Sequence, residues 1–381
     1  MRIEKLFYHN HITGWQLAPI EFGTVNLLVG VSGVGKTKIL EAIILLKEIA
    51  FGIQLNGVEW DITFSTSVNE QYKWHGKFSI VPEHSYTINE YGEKNYLRIE
   101  NNQPKLEVES LYLNNNLIAI RNGIGIEFEG KSMPKLSPSE SLIKIFMAED
   151  AFIPIVKGWL LVADSYAQNS NRWRGSSMHD RISGLSLSDI RSLNSTLVDQ
   201  LGLLFTNFPN EFYKIKYALL EIFPQVEDIR ILREFVNFNG AGKPSILFSL
   251  ELKEVGVDKW ITQSNISMGM LKTLIHITEI YLAPEDSVLL IDEFENSLGV
   301  NCIDVVSELL NERKDVQFII TSHHPYLINK IPMQYWKIIT RKGSVVTATN
   351  AADYEELSGS KHKVFTQLIN LPAYTEGIQV G

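Results

Sequence analysis

The chain has 381 residues, of which 45% are hydrophobic and 21% are charged, and its formal net charge is -9. This composition excludes a disordered chain and suffices for one large core or two smaller ones. The single cysteine, Cys302, excludes an internal disulfide framework, and neither a secretory signal nor a membrane-spanning apolar run occurs. We therefore expect a cytoplasmic protein without a membrane partner, whose acidic balance requires any nucleic acid to meet a local basic patch.

The first functional motif is a glycine-rich segment at 30–37, GVSGVGKT, which fits the phosphate-binding pattern G-x-x-x-x-G-K-[ST]. An apolar run at 25–29 precedes it and apolar residues at helical spacing follow it, which predicts a strand, a loop and a helix. Glycines allow successive N–H groups to face a phosphate at the positive end of the helix dipole. We expect Lys36 to neutralise phosphates and Thr37 to offer a hydroxyl to Mg²⁺. The predicted nucleotide contacts are Gly30, Ser32, Gly33, Gly35, Lys36 and Thr37.

After the first helix, from about 57 to 130, the hydrophobic pattern changes to period two. Such alternation is typical of antiparallel strands with one buried and one wet face. The apolar positions that define the pattern are Trp60, Ile62, Phe64, Tyr72, Trp74, Phe78, Ile80, Leu106, Val108, Ile124, Ile126 and Phe128. The sequence therefore predicts an antiparallel meander.

Helical periodicity begins after Ser137-Pro138. The predicted helices lie near 139–149, 187–207 and 210–223, and a short strand is predicted at 159–163. These elements separate the meander from the motifs that follow.

Two further strands are predicted at 229–238 and 245–252. The turn between them contains Gly242-Lys243 and resembles a second phosphate loop. However, Asn237 stands where that loop requires glycine, and Pro244 follows the lysine. A β-hairpin is therefore the expectation.

An apolar strand at 288–291 ends in two carboxylates, Asp292 and Glu293. Buried strands often end in solvated acids, which is the simpler interpretation. The phosphate loop upstream favours a catalytic one, in which Asp292 holds Mg²⁺ through water and Glu293 polarises the attacking water.

Two other polar segments lie beside predicted apolar elements. Ser267-Met-Gly269 precedes a helix, where Ser267 suits an N-cap, and the same geometry can clamp a γ-phosphate. His323 follows the apolar strand at 318–321, and a histidine there can hydrogen-bond a γ-phosphate and sense its loss. Each signal is weak alone, and its position relative to Asp292 favours a functional role.

These motifs, in this order, resemble the ABC-type ATPases that lack membrane domains, namely the SMC, RecF and OLD-like group of AAA-family ATP-binding proteins. The resemblance extends over about residues 1–50 and 260–345. It implies an α/β P-loop NTPase head with a mixed sheet, an antiparallel meander and a short helical insert, which binds ATP with Mg²⁺ and hydrolyses it. Departures such as Val31-Ser32 for Asn-Gly and His-His-Pro for His-Ser-Pro remove no group that the site requires.

The family pattern assigns a role to each matching residue. The roles are Walker A for Gly30, Gly35, Lys36 and Thr37, signature for Ser267 and Gly269, Walker B for Asp292 and Glu293, D-loop for Asn296 and Ser297, and switch histidine for His323. The resemblance thus implies that Glu293 and His323 are catalytic, and that Thr37 and Asp292 hold the metal. Gln168 is the candidate for the Q-loop glutamine, a further metal ligand. Arg172-Trp173-Arg174 nearby either contacts nucleic acid or forms an ordinary surface loop.

We expect one discontinuous head with an N-terminal lobe at 1–136, a helical insert at 137–225 and a C-terminal lobe at 226–381. Members of the resembled group place the signature of one subunit over the nucleotide of another. The resemblance therefore implies a homodimer, or a higher homo-oligomer, assembled around ATP.

Three functions stay open at the level of the sequence. The first is an ATPase that regulates a separately encoded effector, such as a nuclease, in antiviral (antiphage) defence or a DNA-related process, with DNA as a further candidate partner. The stretch after His323 is too short for a fused nuclease domain, so we expect the effector to be another polypeptide. The second is the ATPase subunit of a transporter. The third is a scaffold that ATP stabilises with little turnover.

Overall fold

The computed structural model describes residues 1–66, 70–82, 85–88, 94–97, 103–164, 184–192, 196–236, 245–295, 300–357 and 361–379. The chain divides into two compact units. The first unit comprises Met1–Val162, Gln334–Gly359 and Thr366–Gly381, and the second comprises Ala163–Met333 and Ser360–Phe365. None of the helices described has the length and apolar character that a membrane span needs.

Strands and helices are numbered in chain order. The strands are β1 (Arg2–Asn10), β2 (Trp15–Glu21), β3 (Val25–Val29), β4 (Val58–Ser65), β5 (Gln71–Phe78), β6 (Ser85–Ile88), β7 (Lys94–Leu97), β8 (Leu106–Leu113), β9 (Asn116–Arg121), β10 (Ile126–Phe128), β11 (Lys131–Ser132), β12 (Val162–Asp164), β13 (Val226–Val236), β14 (Ser245–Glu254), β15 (Ile261–Thr262), β16 (Val288–Ile291), β17 (Gln317–Thr321), β18 (Trp336–Lys342), β19 (Val345–Asn350) and β20 (Ile378–Gln379). The helices are α1 (Lys36–Ala50), α2 (Leu142–Ile145), α3 (Ile153–Leu160), α4 (Leu187–Ser192), α5 (Leu197–Asn207), α6 (Pro209–Ile222), α7 (Met268–Leu282), α8 (Val300–Glu312), α9 (Pro325–Lys330), α10 (Lys361–Ile369) and α11 (Pro372–Thr375).

The first unit contains a mixed sheet with the strand order β11-β10-β9-β8-β5-β4-β1-β2-β19-β18-β3, and β20 lies beside β18. Neighbours from β11 to β2 pair antiparallel. The pairs β19–β2, β18–β3 and β18–β20 are parallel. The strands between 58 and 128 thus confirm the predicted meander.

One face of the meander is buried under α3, and aromatic side chains fill the interface. Trp159 of α3 places its ring centroid 5.8 Å from those of both Phe64 and Trp74. In β4 the even-numbered residues, beginning with Val58, are buried and the odd-numbered residues are half-buried, as the period-two pattern predicts. This face carries most of the predicted core, since aromatic side chains bury large apolar areas.

Three predicted core positions, Ile80, Val108 and Ile124, are instead exposed. Ile80 lies beyond the end of β5, and Ile124 lies in the turn after β9, so neither continues the pleat. Val108 follows a bulge in β8, where the register against β5 shifts between Lys77 and Phe78. A bulge inserts one extra residue and reverses the inward alternation beyond it.

The bulge turns Glu109 of β8 into the interior, where its side chain is fully buried. Its carboxylate accepts hydrogen bonds from Trp74 Nε1 at 2.9 Å and from the backbone N–H of Leu142, the first residue of α2, at 2.9 Å. Arg121 Nε lies 3.7 Å away. Burial raises the pKa of Glu109 to about 7, against the lowering effects of Trp74, Leu142 and Arg121. Glu109 therefore joins the meander to α2.

The helical predictions are only partly correct. Of the helix expected at 139–149, only the short helix α2 forms. The single helix expected at 187–207 is instead two helices, α4 and α5, and Thr196 is the N-cap of α5. The strand predicted at 159–163 is wrong over its first half, because Trp159 lies in α3. A short apolar run does not distinguish a strand from a buried helix. Helix α6 confirms the helix expected at 210–223.

The second unit contains the predicted hairpin. Strands β13 and β14 pair antiparallel from Val226 to the facing pair Val236 and Ser245, and β15 adds to β14. The turn at 237–244 lies outside the described residues. Helix α5 packs closely on β14, since a Cβ on Gly202 would lie 2.3 Å from Phe248 Cγ. Strands β16 and β17 pair in parallel and lead into the polar loops described next.

The buried carboxyl of Glu109 makes stability depend on pH. Its pKa is about 7 in the folded chain and 4.5 in the unfolded one, so the unfolded state loses the proton first as pH rises. We expect the free energy of unfolding to fall by about 3 kcal/mol between pH 4.5 and 7 on account of this group. Glu109→Gln should remove this slope, measured by chemical denaturation across the range. Glu107→Gln, which changes an exposed neighbour, is the control, and identical slopes for Glu109→Gln and wild type would contradict the assignment.

Candidate functional site

The glycine loop of the first unit follows the fully buried strand β3, which pairs with β18. Gly30, Gly33 and Gly35 all have positive φ angles, at 155°, 79° and 109°. Sterics also require two of these glycines. A Cβ on Gly30 would lie 2.8 Å from the carbonyl oxygen of Ile339, and one on Gly35 would lie 2.9 Å from Val346. The loop can therefore hold its shape only with glycine at these positions.

Lys36 begins α1, and its side chain folds back over the loop. Its ammonium group donates to the carbonyl oxygens of Gly30 at 2.7 Å and Val31 at 3.0 Å. Ser32 of the loop and Thr37 in the first turn of α1 are exposed. An N-terminal helix turn, a lysine and exposed hydroxyls together form an anion-binding arrangement.

In the second unit, Asp292 and Glu293 lie just beyond β16, next to the end of β17. Thr321, the last residue of β17, donates its hydroxyl to Asp292 Oδ1 at 2.5 Å and accepts from the N–H of Glu293 at 2.7 Å. Its carbonyl accepts from the N–H of Phe294 at 3.2 Å. One threonine thus fixes both carboxylate residues.

The backbone of Glu293 has a φ of 45°, in the left-handed region. This conformation is uncommon for a residue with a side chain and is found preferentially at functional sites. Its carboxylate is exposed, whereas Phe294 next to it is fully buried. The strained turn therefore presents the acid outward while the chain returns to the core.

His323 is oriented by Glu295. The buried carboxylate of Glu295 accepts from the N–H of His323 at 2.8 Å, and His323 Nδ1 lies 3.0 Å from the same oxygen. The imidazole remains 62% exposed. Because Nδ1 is engaged, Nε2 is the ring nitrogen that can serve a ligand.

Ser267 caps α7, a helix of 15 residues, and its hydroxyl accepts from the N–H of Met270 at 3.3 Å. The neighbouring Met268 is exposed, and the carbonyl of Gly269 accepts from Thr273 at 2.8 Å. The capping role accounts for a serine at this position. It also leaves the helix end accessible, which a signature motif requires.

The structure brings the sequence-predicted residues together in three groups. The groups are Gly30, Ser32, Gly33, Gly35, Lys36 and Thr37 in the first unit, Asp292, Glu293 and His323 at the β16–β17 edge, and Ser267 and Gly269 at the start of α7. Gln168, Asn296, Ser297 and 172–174 lie outside the described residues. Sequence reasoning missed Thr321, although a hydroxyl ending the strand parallel to a Walker B strand was a usable signal.

Comparisons with known proteins give one family-model match and similar folds among solved structures. Residues 161–329 match the family model described as "AAA domain, putative AbiEii toxin, Type IV TA system". An SMC head crystallised with the C-winged helix domain of ScpA aligns with 92% of this chain and 97% of its own, at 12% identity and a TM-score of 0.51.

Two further SMC heads align less closely. The SMC head domain from Thermotoga maritima covers 92% of this chain and 99% of its own, at 13% identity and a TM-score of 0.44. The Pyrococcus furiosus SMC head has an extended coiled coil and is bound to the C-terminal domain of ScpA. Its alignment covers 91% of this chain and 96% of its own, at 12% identity and a TM-score of 0.46. The comparison with curated proteins gives no match.

The chain has an α/β fold with a large mixed sheet. This fold is similar to that of the SMC head. The predicted fold class is confirmed, and the resemblance stated from the motifs is confirmed as a similarity of fold to SMC heads.

The hydrogen bonds of Thr321 generate a prediction about the acids that it holds. Thr321→Ala should lower Mg²⁺-dependent ATP hydrolysis by about 10–100-fold, because Asp292 loses the hydroxyl that orients it and Glu293 N–H loses its acceptor. Thr321→Ser keeps the hydroxyl and should retain most of the rate. The measurement is steady-state phosphate release against Mg²⁺ concentration. Wild-type rates in both variants would show that the hydroxyl has no role in the reaction.

Proposed function

We propose that the chain binds ATP together with Mg²⁺ and hydrolyses it. The glycine loop carries this proposal, since its backbone shape, its lysine and its helix N-terminus are all suited to a polyphosphate. Lys36 neutralises phosphate charge. The oxygen donors of Thr37 and Asp292 match the hard cation Mg²⁺, with Gln168 as the predicted further ligand. When bound, the ion adds positive charge that stabilises the transferring phosphoryl group.

In this proposal Glu293 is the general base. Its left-handed backbone holds an exposed carboxylate beside Asp292, and a carboxylate can accept a proton from the attacking water. His323 contacts the γ-phosphate through Nε2, while Glu295 fixes the ring through Nδ1. Loss of that phosphate removes the contact, so the histidine reports hydrolysis to the loop that bears it.

Lys36→Ala tests the proposal, because the backbone cradle without its cation must hold a polyphosphate against bulk water. The variant should lose nucleotide binding, measured by titration calorimetry with ATP and Mg²⁺. Lys38→Ala is the matched control, since Lys38 lies two residues away and pairs with Glu41 at 2.7 Å on the surface. Circular dichroism checks the fold. Wild-type affinity in Lys36→Ala would remove the basis for the proposed site.

We further propose that two copies assemble around ATP, with Ser267 and Gly269 of one copy contacting the nucleotide of the other. The exposed N-terminus of α7 supports this, since Ser267 and Met268 are both accessible there and a helix N-terminus carries the positive end of the helix dipole. A single copy then has an incomplete site. Hydrolysis is coupled to opening of the dimer.

Glu293→Gln should retain ATP but not hydrolyse it, so a dimer should accumulate with ATP and Mg²⁺. Adding Ser267→Arg should abolish that dimer while leaving ATP bound, because the bulky cation collides with the partner's nucleotide site. Size-exclusion chromatography with light scattering measures the species. If Glu293→Gln with ATP elutes like the nucleotide-free chain, the dimer mechanism is wrong.

The third part of the proposal is that the ATP state regulates a separately encoded effector, a nuclease, in antiviral defence or a DNA-related process. The matched family is described with a toxin–antitoxin system, and two of the similar SMC heads are bound to another protein, ScpA. We assign the contact to the helical insert at 137–225. Its helix α6 exposes Tyr213 and Tyr217, whose rings stack with centroids 6.1 Å apart, and tyrosine is enriched at interface hot spots.

The same two variants test the effector. Regulation requires ATP-bound and ATP-free chains to differ in affinity for the partner, typically by about 1–3 kcal/mol. Pull-down from the native host with Glu293→Gln and with its Ser267→Arg derivative should recover a partner in different amounts, and Tyr217→Ala should reduce recovery. Turnover that rises with a membrane component would favour a transporter subunit. Equal recovery from both variants would favour an ATP-stabilised scaffold.

A further inference from the structure

A second set of ligating side chains lies in the first unit and belongs to none of the nucleotide motifs. His9 is in β1, His11 follows that strand, and Glu59 is in β4. Their nitrogen and oxygen ligand atoms all lie within 4.8 Å of one another, and each residue is half-buried. Two imidazoles and one carboxylate at this separation are the donor set of a transition-metal site.

Strand geometry explains why these residues meet. His11 lies just beyond the end of β1, and its ring centroid is 3.9 Å from that of His9, so the two imidazoles lie on the same side. Glu59 lies directly opposite His9 in the antiparallel register of β1 and β4. The chain beyond β1 stays beside β4 because the N–H of His11 donates to the carbonyl of Gly57 at 2.8 Å. The cluster is therefore built by backbone pairing.

The side chains converge closely. His11 Nε2 lies 2.7 Å from Glu59 Oε2, and the ring centroids of His9 and His11 are 3.9 Å apart. Donor atoms around a tetrahedral Zn²⁺ with bonds of about 2.0–2.2 Å are about 3.3–3.6 Å from one another. The His11–Glu59 distance is shorter than this and all three donor atoms lie within 4.8 Å of one another, so binding of one ion requires side-chain rotations that adjust this spacing.

An ordinary hydrogen bond between His11 and Glu59 is the simpler explanation for one pair of the cluster. It gives no reason for His9, whose ring lies against that of His11 on the same face. A metal ion uses all three donors at once. It replaces the proton between His11 and Glu59, since zinc binds neutral imidazole and ionised carboxylate.

We propose that His9, His11 and Glu59 bind one Zn²⁺, with water in the fourth position. The ion ties the turn end of the β1–β2 hairpin to β4. That hairpin pairs Asn10 with Trp15, and Trp15 Nε1 lies 3.9 Å from where a Cβ of Gly35 in the glycine loop would be. The metal thus stabilises a strand pair that supports the glycine loop.

Lys77 of β5 provides a test of the electrostatics at the proposed zinc site. Its ammonium lies 3.8 Å from Glu59 Oε2 and competes with a dication for this carboxylate. Lys77→Met removes the charge and keeps much of the apolar stem, so it should tighten zinc binding. Tightening on loss of a lysine is not expected of a cluster that is only a hydrogen-bonded pair.

The experiment uses the full chain, stripped with EDTA and free of nucleotide, titrated with Zn²⁺ by calorimetry. His9→Ala, His11→Ala and Glu59→Gln should each weaken one zinc site by at least about tenfold, since loss of even an outer partner costs 10–100-fold. His75→Ala is the control, because His75 lies one strand away, facing Asp61. Asp292→Asn should leave this zinc site unchanged and so separates it from the proposed Mg²⁺ site.

Two further measurements distinguish loss of zinc binding from loss of the fold. Co²⁺ should give visible absorption bands in wild type that Glu59→Gln, a substitution of equal size, diminishes. Zinc should raise the melting temperature of wild type and not that of His9→Ala. Zinc affinity unchanged in all three ligand variants, or weakened as much by His75→Ala, overturns the proposal.

Discussion

The hydroxyl of Thr321 is the contact on which the arrangement of the second unit depends. Strand β16 is entirely apolar and buried, so a charge within it would be strongly unfavourable. The acids must emerge where burial ends, and there the chain makes a left-handed turn at Glu293. Thr321 holds that turn by binding Asp292 and the N–H of Glu293. A strained backbone persists only when its surroundings fix it, and this hydroxyl is part of what fixes it.

The unusual backbone of the glycine loop is also fixed by its surroundings, through steric contacts and not through a hydroxyl. Ile339 and Val346, from β18 and β19, approach so closely that side chains at Gly30 and Gly35 have no room. The sheet therefore determines the shape of the loop, and the loop determines where the N–H groups of α1 point. In each unit, chemistry that needs an unusual backbone is placed directly after a buried strand.

Much of the fold and of the candidate site follows from local patterns. The glycine loop, the carboxylates after β16 and the N-cap at Ser267 are signalled by residues adjacent in sequence, so they are predictable. The exposure of Val108 and the burial of Glu109 are not, because a one-residue bulge leaves no trace in the alternation. Helix α3 was missed for a related reason. Its apolar run is short, and Trp159 is buried whichever secondary structure carries it.

Contacts between strands that are distant in sequence set the other limit on what the sequence predicts. Thr321 lies next to Asp292 only because β16 and β17 are parallel and in register, and Glu59 faces His9 only through the pairing of β1 with β4. Neither partner has a motif of its own. Because a shift of one residue turns every side chain to the opposite face, the register itself specifies these polar clusters. The antiparallel part of the sheet therefore packs against α3 on one face and, on the other, aligns the side chains of the proposed zinc site.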